Sequence, residues 1–290
     1  MATIRYTHKA AVLGQVLRSL FFFVTMWSFI IPLNAAYNQD PVPNPTEIRV
    51  LSVDPTPEGE EVEIKLLYPL ARSVEKNPVG VQIRLNGFPL RTYSQFPRAK
   101  EVLNYNKEGQ SLHIIIDNDP YFAVNEGVIS ALQPPDHYYE QNLEFNIPYT
   151  LKPGQHIMRI FPARSYGESL KGTGCFEARV FYVGAKTPTL DVDLNQPYLT
   201  YNQPQGEIKY DKNKPILVDF YLTNIKLSRD GYKVRLTIDG NVGRILTKWA
   251  PYYVYGLKPG QHTFKLELLN EANKVVPGLF NSVERVITLK

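Results

Sequence analysis

Two histidines occupy the same place in a repeated hexapeptide, LKPGQH, which spans residues 151–156 and 257–262. Imidazole is the commonest metal-binding side chain and titrates near neutral pH, so His156 and His262 are candidates for a duplicated metal or catalytic site. Neither has a second histidine, a cysteine pair or a carboxylate pair nearby at the spacing that metal ligands need. The favoured interpretation is therefore structural, with each histidine a polar residue at the start of a strand.

A second candidate for chemistry is the segment DVDLN, in which Asp191 and Asp193 alternate with apolar residues. Calcium loops present side-chain oxygens at alternate positions in this way. An EF-hand would need glycine at the sixth position and glutamate at the twelfth, where this chain has Gln196 and Asn202. An EF-hand is therefore excluded. Asp191 and Asp193 remain candidate ligands of a calcium site, together with Asp211 or the acidic segment DND.

Four aromatic residues lie close together in the segment KWAPYYVYG: Trp249, Tyr252, Tyr253 and Tyr255. Exposed aromatic rings stack on sugar faces or anchor protein partners. In a strand, Tyr253 and Tyr255 share one face and Tyr252 points to the other, so at least one face must belong to the core. The four residues are candidates for ligand binding, and burial within the core is the competing interpretation.

Catalytic signatures are missing from the sequence. Neither G-x-S-x-G nor H-E-x-x-H occurs, and RSYGESLKGTG lacks the order of a phosphate-binding loop. An enzyme remains an alternative only if Asp117, Asp119, Asp136 and His137 meet in one pocket. We expect a protein that is not an enzyme and has no cofactor.

The N-terminus has the order of a secretory signal peptide. Three basic residues precede the apolar run LFFFVTMWSFIIPL, and two alanines follow at positions 35 and 36. We expect residues 1–35 to be a signal peptide and the protein to be extracytoplasmic, in the periplasm, on the cell surface or secreted. The alternative is an uncleaved membrane anchor, although the strongly apolar run is shorter than the roughly 20 residues that a spanning helix needs.

The charge balance gives no reason to expect a nucleic-acid partner. The formal net charge is +4, but without residues 1–35 the chain has 29 basic against 28 acidic residues. Proteins that bind nucleic acids use clustered lysine and arginine to neutralise several phosphates. The sole cysteine, Cys175, cannot form an intramolecular disulfide and is predicted to be a small core residue.

The pattern after residue 46 predicts an all-β protein. Short runs such as VEIKLLY, LHIIIDN and YKVRLTI alternate apolar and polar residues and are separated by turn residues. No amphipathic helix of ten or more residues is evident. In each LKPGQH copy, Pro-Gly favours a turn that connects two strands.

Three matched segments predict a duplicated fold unit. Besides LKPGQH, Asn86-Gly87 matches Asp239-Gly240, and VEIKLLYPL matches ILVDFYLTN. Units of about 100 residues with such strands predict tandem immunoglobulin-like β-sandwiches.

These units define three predicted parts of the chain after the signal peptide. We expect a Pro-rich leader at 36–46, a first sandwich at 47–186 with an insertion near 91–141, and a second sandwich at 187–290.

The C-terminal part resembles a group of bacterial exported proteins with an immunoglobulin-like domain. The similarity is carried by the segments DFYL, GYKV, KWAPYY and PGLFN over residues 189–290. The resemblance implies a β-sandwich and an envelope location, and it implies no activity or functional residue.

Together these features predict an exported, non-catalytic binding or structural protein of the bacterial envelope, with an envelope protein or a glycan as partner. A membrane is a partner only through the signal segment, if that segment is not cleaved. Protein–protein interaction or adhesion is the favoured role. A carbohydrate-binding module that uses Trp249 and Tyr253 is the first alternative, and an enzyme with its site in 91–141 is the second.

Overall fold

The computed structural model describes residues 47–57, 62–104, 108–129, 140–187 and 192–290. These residues fall within one compact unit. The predicted signal peptide and the Pro-rich leader at 36–46 lie outside the described residues. Within the described ranges, no helix is both long and apolar enough to span a bilayer.

The regular secondary structure of the described chain is almost entirely β-strand, and the predicted all-β fold class is confirmed. The strands up to residue 183 are β1 (Arg49–Ser52), β2 (Glu63–Tyr68), β3 (Val74–Glu75), β4 (Gly80–Asn86), β5 (Ser111–Ile116), β6 (Phe122–Val124), β7 (Val128–Ile129), β8 (Gln141–Asn146), β9 (Gly154–Ala163) and β10 (Glu177–Val183). The later strands are β11 (Tyr198–Gln203), β12 (Gly206–Ile208), β13 (Ile216–Thr223), β14 (Lys233–Ile238), β15 (Val242–Leu246), β16 (Tyr252–Tyr255), β17 (Gly260–Leu269) and β18 (Ser282–Leu289). A single-turn helix, α1 (Arg98–Glu101), lies between β4 and β5.

Strands β2 to β10 form the N-terminal sandwich. One sheet has the order β2-β4-β8-β7 and the other has the order β3-β10-β9-β5-β6. Buried and exposed residues alternate along β2 and β4, so each strand turns one face to the core. Cys175 is buried in this core, which confirms the sequence-based prediction.

Strands β11 to β18, together with β1, form the C-terminal sandwich. Its sheets have the orders β1-β16-β13-β11 and β12-β18-β17-β14-β15. Its core contains large apolar side chains from both sheets, among them Val218, Phe220, Leu236, Phe264 and Ile287.

The two sandwiches have the same strand order. Strands β11, β13 and β16 take the places of β2, β4 and β8, and β12, β18, β17, β14 and β15 take those of β3, β10, β9, β5 and β6. In each sandwich a short strand, β3 or β12, runs parallel to the last strand. The predicted tandem immunoglobulin-like sandwiches are therefore confirmed, and each LKPGQH copy connects two strands as expected.

Two of the three segment pairs that match in sequence do not occupy equivalent places in the two sandwiches. ILVDFYLTN forms β13, whose counterpart is β4, whereas VEIKLLYPL forms β2. Gly87 and Gly240 both have a φ of 70°, but Gly87 follows β4 and Gly240 follows β14. Similar turn chemistry thus occurs at two turns that are not equivalent.

The segment 91–141 is not one inserted block. It contains β5 and β6, which take the places of β14 and β15 in the five-stranded sheet. The extra length relative to the C-terminal sandwich lies between β4 and β5 and between β6 and β8.

The first strand belongs to the C-terminal sandwich, although the sequence pattern assigns residues 47–186 to the N-terminal one. Strand β1 pairs antiparallel with β16, from Arg49 opposite Tyr255 to Ser52 opposite Tyr252. It takes the place beside β16 that β7 takes beside β8. The N-terminal segment therefore begins in one sandwich and continues into the other.

Four strands are buried on both faces because the sandwiches pack against each other. Strands β5, β9 and β11 are buried along their whole length, and β13 is buried up to its last residue. Phe161 of the N-terminal sandwich packs with Tyr221 of the C-terminal one, and Ile157 packs with Tyr198 and Phe280. The surface shared by these strands is called the junction below.

Candidate functional site

The histidines of the repeated hexapeptide each contact an aspartate of their own sandwich. Nδ1 of His156 lies 2.8 Å from Oδ2 of Asp117, and Nδ1 of His262 lies 2.7 Å from Oδ2 of Asp239. In both cases Nε2 lies 2.8 Å from the carbonyl oxygen of the lysine four residues earlier. Each pair is called an Asp–His clasp.

The aspartate of each clasp also binds the backbone of the strand that carries the histidine, β9 or β17. Oδ1 of Asp117 accepts a hydrogen bond from the Ile157 N–H at 2.9 Å, and Oδ1 of Asp239 accepts one from the Thr263 N–H at 2.8 Å. The two aspartates have φ values of 51° and 50°, a left-handed conformation that aspartate tolerates better than most residues. The repeat therefore encodes the same turn-to-strand connection twice.

The environment of His156 favours its charged form. Burial alone lowers the pKa of His156, but hydrogen bonds to Asp117 and to the Lys152 carbonyl, with the charge of Asp117, raise it overall. Both ring nitrogens then act as donors, which suits a carboxylate on one side and a carbonyl on the other.

Among the described residues, the candidate metal ligands are not assembled into a site. The two histidines lie in separate clasps, and the described residues contain no group of three or more His, Cys, Asp or Glu side chains suited to a metal ion. Asp193 holds its own turn, accepting a hydrogen bond from the Asn195 N–H at 2.9 Å, and bonds of this kind lower its pKa. Asp191 lies outside the described residues.

The four aromatic candidates do not form an exposed platform. Tyr252 and Tyr253 are only 5% and 6% exposed. Trp249 is partly buried against Tyr221, with Nε1 donating to the Phe220 carbonyl at 3.0 Å. A sugar needs an open ring face, but Tyr252 packs into the core of the C-terminal sandwich and Tyr253 packs with Val102 and Tyr166.

The tyrosine hydroxyls of this strand serve internal contacts. Tyr253 accepts a hydrogen bond from Nε of Arg98 at 3.0 Å and lies 2.7 Å from Oε2 of Glu101. Burial raises the pKa of Tyr255, which is half-buried beneath the guanidinium of Arg49.

The residues of the enzyme alternative are not assembled by the described structure. The carboxylate of Asp117 is held in its clasp. Asp136 and His137 lie outside the described residues.

A buried carboxylate lies at the centre of the junction. Asp219 on β13 is fully buried and accepts four hydrogen bonds. Its Oδ2 accepts from the N–H and Oγ of Ser169 at 3.1 and 2.6 Å and from Nδ2 of Asn202 at 2.7 Å; its Oδ1 accepts from Nζ of Lys171 at 2.8 Å. Ser169 and Lys171 belong to the N-terminal sandwich, so this carboxylate joins the two sandwiches.

A buried arginine forms a second contact across the junction. Arg159 on β9 is 1% exposed, and its Nη1 donates to Oγ1 of Thr200 at 2.9 Å and to the Leu199 carbonyl at 3.3 Å. Its guanidinium carbon lies 3.8 Å from the centroid of the Phe280 ring. Burial lowers the pKa of Arg159 to about 9, so the side chain is still a cation at neutral pH.

A neutral histidine lies beside the carboxylate. Nδ1 of His113 is 2.7 Å from Oδ1 of Asn202, and its ring stacks on Tyr121 with the centroids 3.6 Å apart. Burial lowers the pKa of His113 to about 4, although Asn202 and Asp219 oppose this shift. The amide nitrogen of Asn202 donates its two hydrogens to the Gly167 carbonyl and to Oδ2 of Asp219. Oδ1 of Asn202 therefore faces His113 as an acceptor, and the imidazole donates to it.

The N-terminal segment is tied to both sandwiches near the junction. The Thr56 N–H donates to Oε1 of Glu168 at 2.8 Å, and the Thr56 hydroxyl donates to Oε2 at 2.6 Å. Arg98 forms a buried ion pair with Glu168, and its guanidinium also donates to the Asp54 carbonyl. Through Tyr253, Arg98 connects this cluster to β16.

A groove of about 1260 Å³ opens between the sandwiches, beside the buried network. The N-terminal sandwich contributes Tyr93, Lys100 and Tyr121, and residues 203–214 contribute the opposite wall. Tyr93 is 52% exposed, whereas Tyr121 is largely buried against His113. This groove is the candidate binding site, because a concave surface with a fixed shape is what ligand recognition requires.

The sequence pattern misses the junction but contains a signal for it. Asp219 interrupts the apolar run ILVDFYL, and Arg159 interrupts HIMRIF. A charge in a strand with a fully apolar pattern must find partners when buried, so such residues indicate a second packed face.

Comparison with known proteins gives distant similarities only. No family model and no curated protein matches the sequence.

Solved structures that the chain resembles include fibronectin(III)-like modules of Clostridium thermocellum CbhA, at 11% identity and a TM-score of 0.26, with 78% of this chain and 94% of that chain covered. Dimeric latent PorU from Porphyromonas gingivalis is 12% identical, with a TM-score of 0.28 and 90% and 21% coverage. The Bacteroides ovatus glucan-locus protein SGBP-B, solved with a mixed-linkage heptasaccharide, is 13% identical, with a TM-score of 0.18 and 77% and 46% coverage. Similarity at this level supports no statement about ligand, partner or activity.

Proposed function

We propose that the protein is an exported, non-catalytic binding module of the bacterial envelope that recognises a partner in the groove between its sandwiches. One observation carries the proposal: the walls of the groove come from two sandwiches that Asp219 joins through Ser169 and Lys171. A joint of this kind holds the two walls at one spacing. Binding is then stronger because little freedom is lost on association.

The ionisable side chains near the groove are buried and engaged in internal contacts, which supports recognition rather than catalysis. His113 is neutral and packed against Tyr121, and burial raises the pKa of Tyr121 to about 12. Asp219 is fully buried behind them, with four donors around it. General acids and bases instead work with pKa values near the working pH and with access to the substrate.

Two sequence features support the envelope location. Residues 1–35 have the order of a signal peptide, and the C-terminal part resembles bacterial exported proteins. A protein partner is favoured over a glycan because Tyr252 and Tyr253 lie inside the fold.

A binding titration on isolated bacterial envelopes tests the proposal. Fluorescently labelled protein should bind saturably, and unlabelled protein should compete. Tyr93→Ala removes an exposed ring of the groove and should weaken binding by roughly fivefold or more, as expected for an aromatic contact at an interface. Tyr149→Ala is the matched control, because Tyr149 is also exposed but does not line the groove.

Three results would overturn the proposal. They are the lack of saturable binding, an equal loss of affinity in the two tyrosine variants, and turnover of esterase, glycosidase or peptidase substrates above background. Cell fractionation tests the location, since protein retained in the cytoplasm with its leader intact contradicts export.

A further inference from the structure

The groove is bordered by an edge strand from each sandwich. Strand β6 is the last strand of the sheet β3-β10-β9-β5-β6, and β12 is the first strand of the sheet β12-β18-β17-β14-β15. Tyr121 and Ala123 line one wall, and 207–209 line the other. Edge strands present backbone groups that can pair with an added strand.

The backbone of β6 turns donors and acceptors toward the groove. The Tyr121 N–H donates to Oε1 of Gln205 at 3.0 Å, and the Tyr121 carbonyl accepts from Nε2 of Gln205 at 2.9 Å. The Gln205 amide thus pairs with the outer side of this strand as a neighbouring strand would. Because outward groups recur every second residue, the N–H and C=O of Ala123 point the same way.

The backbone of β12 does the same from the other side. The Ile208 carbonyl accepts from the Lys290 N–H at 3.1 Å, and the Tyr210 N–H donates to the Lys290 carbonyl. These two residues therefore face β18. By alternation, the N–H and C=O groups of Glu207 and Lys209 point away from β18, on the side of the groove.

Lysines outnumber acidic residues among the side chains that line the groove, by four to three. Lys100, Lys209, Lys212 and Lys214 line the groove, and the first three are exposed. Three acidic residues also line the groove. Glu207 is paired with Lys290, Glu108 accepts a hydrogen bond from Nδ2 of Asn125 at 3.1 Å, and Asp211 accepts one from the Asn213 N–H at 2.9 Å. The groove is therefore complementary to an acidic partner.

We propose that the groove binds an extended acidic peptide segment, which adds as a strand to β12 or β6 while its carboxylates contact Lys209, Lys212 and Lys214. Backbone pairing supplies affinity and the lysines supply selectivity, as in other complexes formed by strand addition. This inference rests on the proposed function, because it names the chemistry of the partner at the same site.

Peptides of defined backbone and charge test this inference. The probe is a fluorescein-labelled ten-residue peptide in which Glu and Val alternate, titrated at low salt into the protein purified in the form the cell exports. The first control is the Lys-Val peptide. Two further controls are Glu-Val peptides with N-methylated backbones, one methylated at every Glu and the other at every Val. An oligogalacturonate serves as a glycan with the same charge.

The Glu-Val peptide should bind saturably and lose affinity as salt is added, while the Lys-Val peptide should not bind. At least one N-methylated peptide should bind roughly tenfold more weakly, since it lacks the donors for a ladder. If both N-methylated peptides bind as tightly as the unmodified Glu-Val peptide, strand addition is overturned. Binding of oligogalacturonate in preference to the peptide overturns the choice of partner.

Variants of one residue separate charge from backbone pairing. Lys209→Ala removes only the charge, and Lys209→Pro also removes the outward N–H, which an edge strand tolerates. The proline variant should bind the peptide more weakly than the alanine variant, and equal affinities count against pairing with β12. If the proline variant unfolds, the N-methylated peptides decide the question.

A triple variant tests the lysines. Lys209→Ala/Lys212→Ala/Lys214→Ala should weaken binding by roughly tenfold or more at low salt. The matched control is Lys226→Ala/Lys248→Ala/Lys274→Ala, which changes net charge equally at exposed lysines that do not line the groove. Equal effects of the two triple variants overturn the role of the groove.

The outcomes also separate this inference from the proposed function. Saturable binding to envelopes without binding of the Glu-Val peptide overturns the acidic-peptide inference and leaves the recognition function standing. Loss of both overturns both.

Discussion

Asp219 and Lys171 form an ion pair between the sandwiches, with Oδ1 and Nζ 2.8 Å apart and both side chains almost fully shielded from water. Charges removed from water in this way are costly to separate, because the remaining partner is left buried without compensation. The loss of either partner should therefore weaken the contact between the sandwiches.

A double-mutant cycle should show this coupling. Asp219→Ala should lower the free energy of unfolding by about 3 to 5 kcal/mol, because Lys171 loses its buried partner. The double variant Asp219→Ala/Lys171→Met should lose less than the sum of the single changes. Urea unfolding gives these values. The control pair is exposed Lys65 and Glu63, whose removal should cost at most about 1 kcal/mol.

Stability should depend on His113 in mildly acidic solution. Its folded-state pKa is lowered to about 4, whereas an unfolded histidine titrates near 6.5. Between these values the unfolded chain binds more protons, so the free energy of unfolding falls as the pH drops from about 6.5 to 4. The loss due to this residue should be about 3 kcal/mol.

The comparison of wild type with His113→Gln isolates this contribution. Urea unfolding at several pH values should give a flatter profile for the variant, since glutamine does not titrate. The raised pKa of His156 increases the free energy of unfolding as the pH falls, which is the opposite effect. This contribution is the same in wild type and in His113→Gln. Parallel profiles would contradict the assignment of the buried histidine.

The Asp–His clasps should stabilise each sandwich in the same way. Asp117→Ala and Asp239→Ala each remove the acceptor of a histidine and of a backbone N–H, and each should cost about 1 to 3 kcal/mol. The matched changes to Asn retain an acceptor and the preference for positive φ, so they should cost less. Equal losses for Ala and Asn, measured by urea unfolding, would contradict the expectation that a retained acceptor and the preference for positive φ preserve part of the clasp.

Gly256 should matter because the N-terminal segment lies against it. A Cβ at this position would lie 2.4 Å from the Glu47 carbonyl oxygen, and the φ is 86°. Gly256→Ala should therefore destabilise the protein and speed proteolytic cleavage near residue 50. Gly240→Ala is the control, because its φ is 70° but nothing lies within 4 Å of the added Cβ. If both variants behave alike, the contact with Glu47 has no consequence.

The sequence predicts the local features of the fold because they depend on nearby residues. Alternation reveals the strands, and Pro-Gly in LKPGQH reveals the connector before β9 and β17. The partner of His156 is not predictable in this way. Asp117 is 39 positions away and meets it only when β5 and β9 pair.

The junction is harder to predict because packing there changes the expected pattern. Alternation assumes one face toward solvent, but β9, β11 and β13 are covered on both faces. The aromatic segment at 249–255 is interpreted as a binding surface for the same reason, since the sequence does not show that Val102 and Tyr166 cover Tyr253. A strand supplied from the start of the chain cannot be inferred from local periodicity.

The cooperativity of unfolding tests the central claim, that buried contacts through Asp219 and Arg159 make the two sandwiches one body. Differential scanning calorimetry should show a single transition whose calorimetric and van't Hoff enthalpies agree. Two resolved transitions, or a van't Hoff enthalpy well above or below the calorimetric value, would contradict the claim.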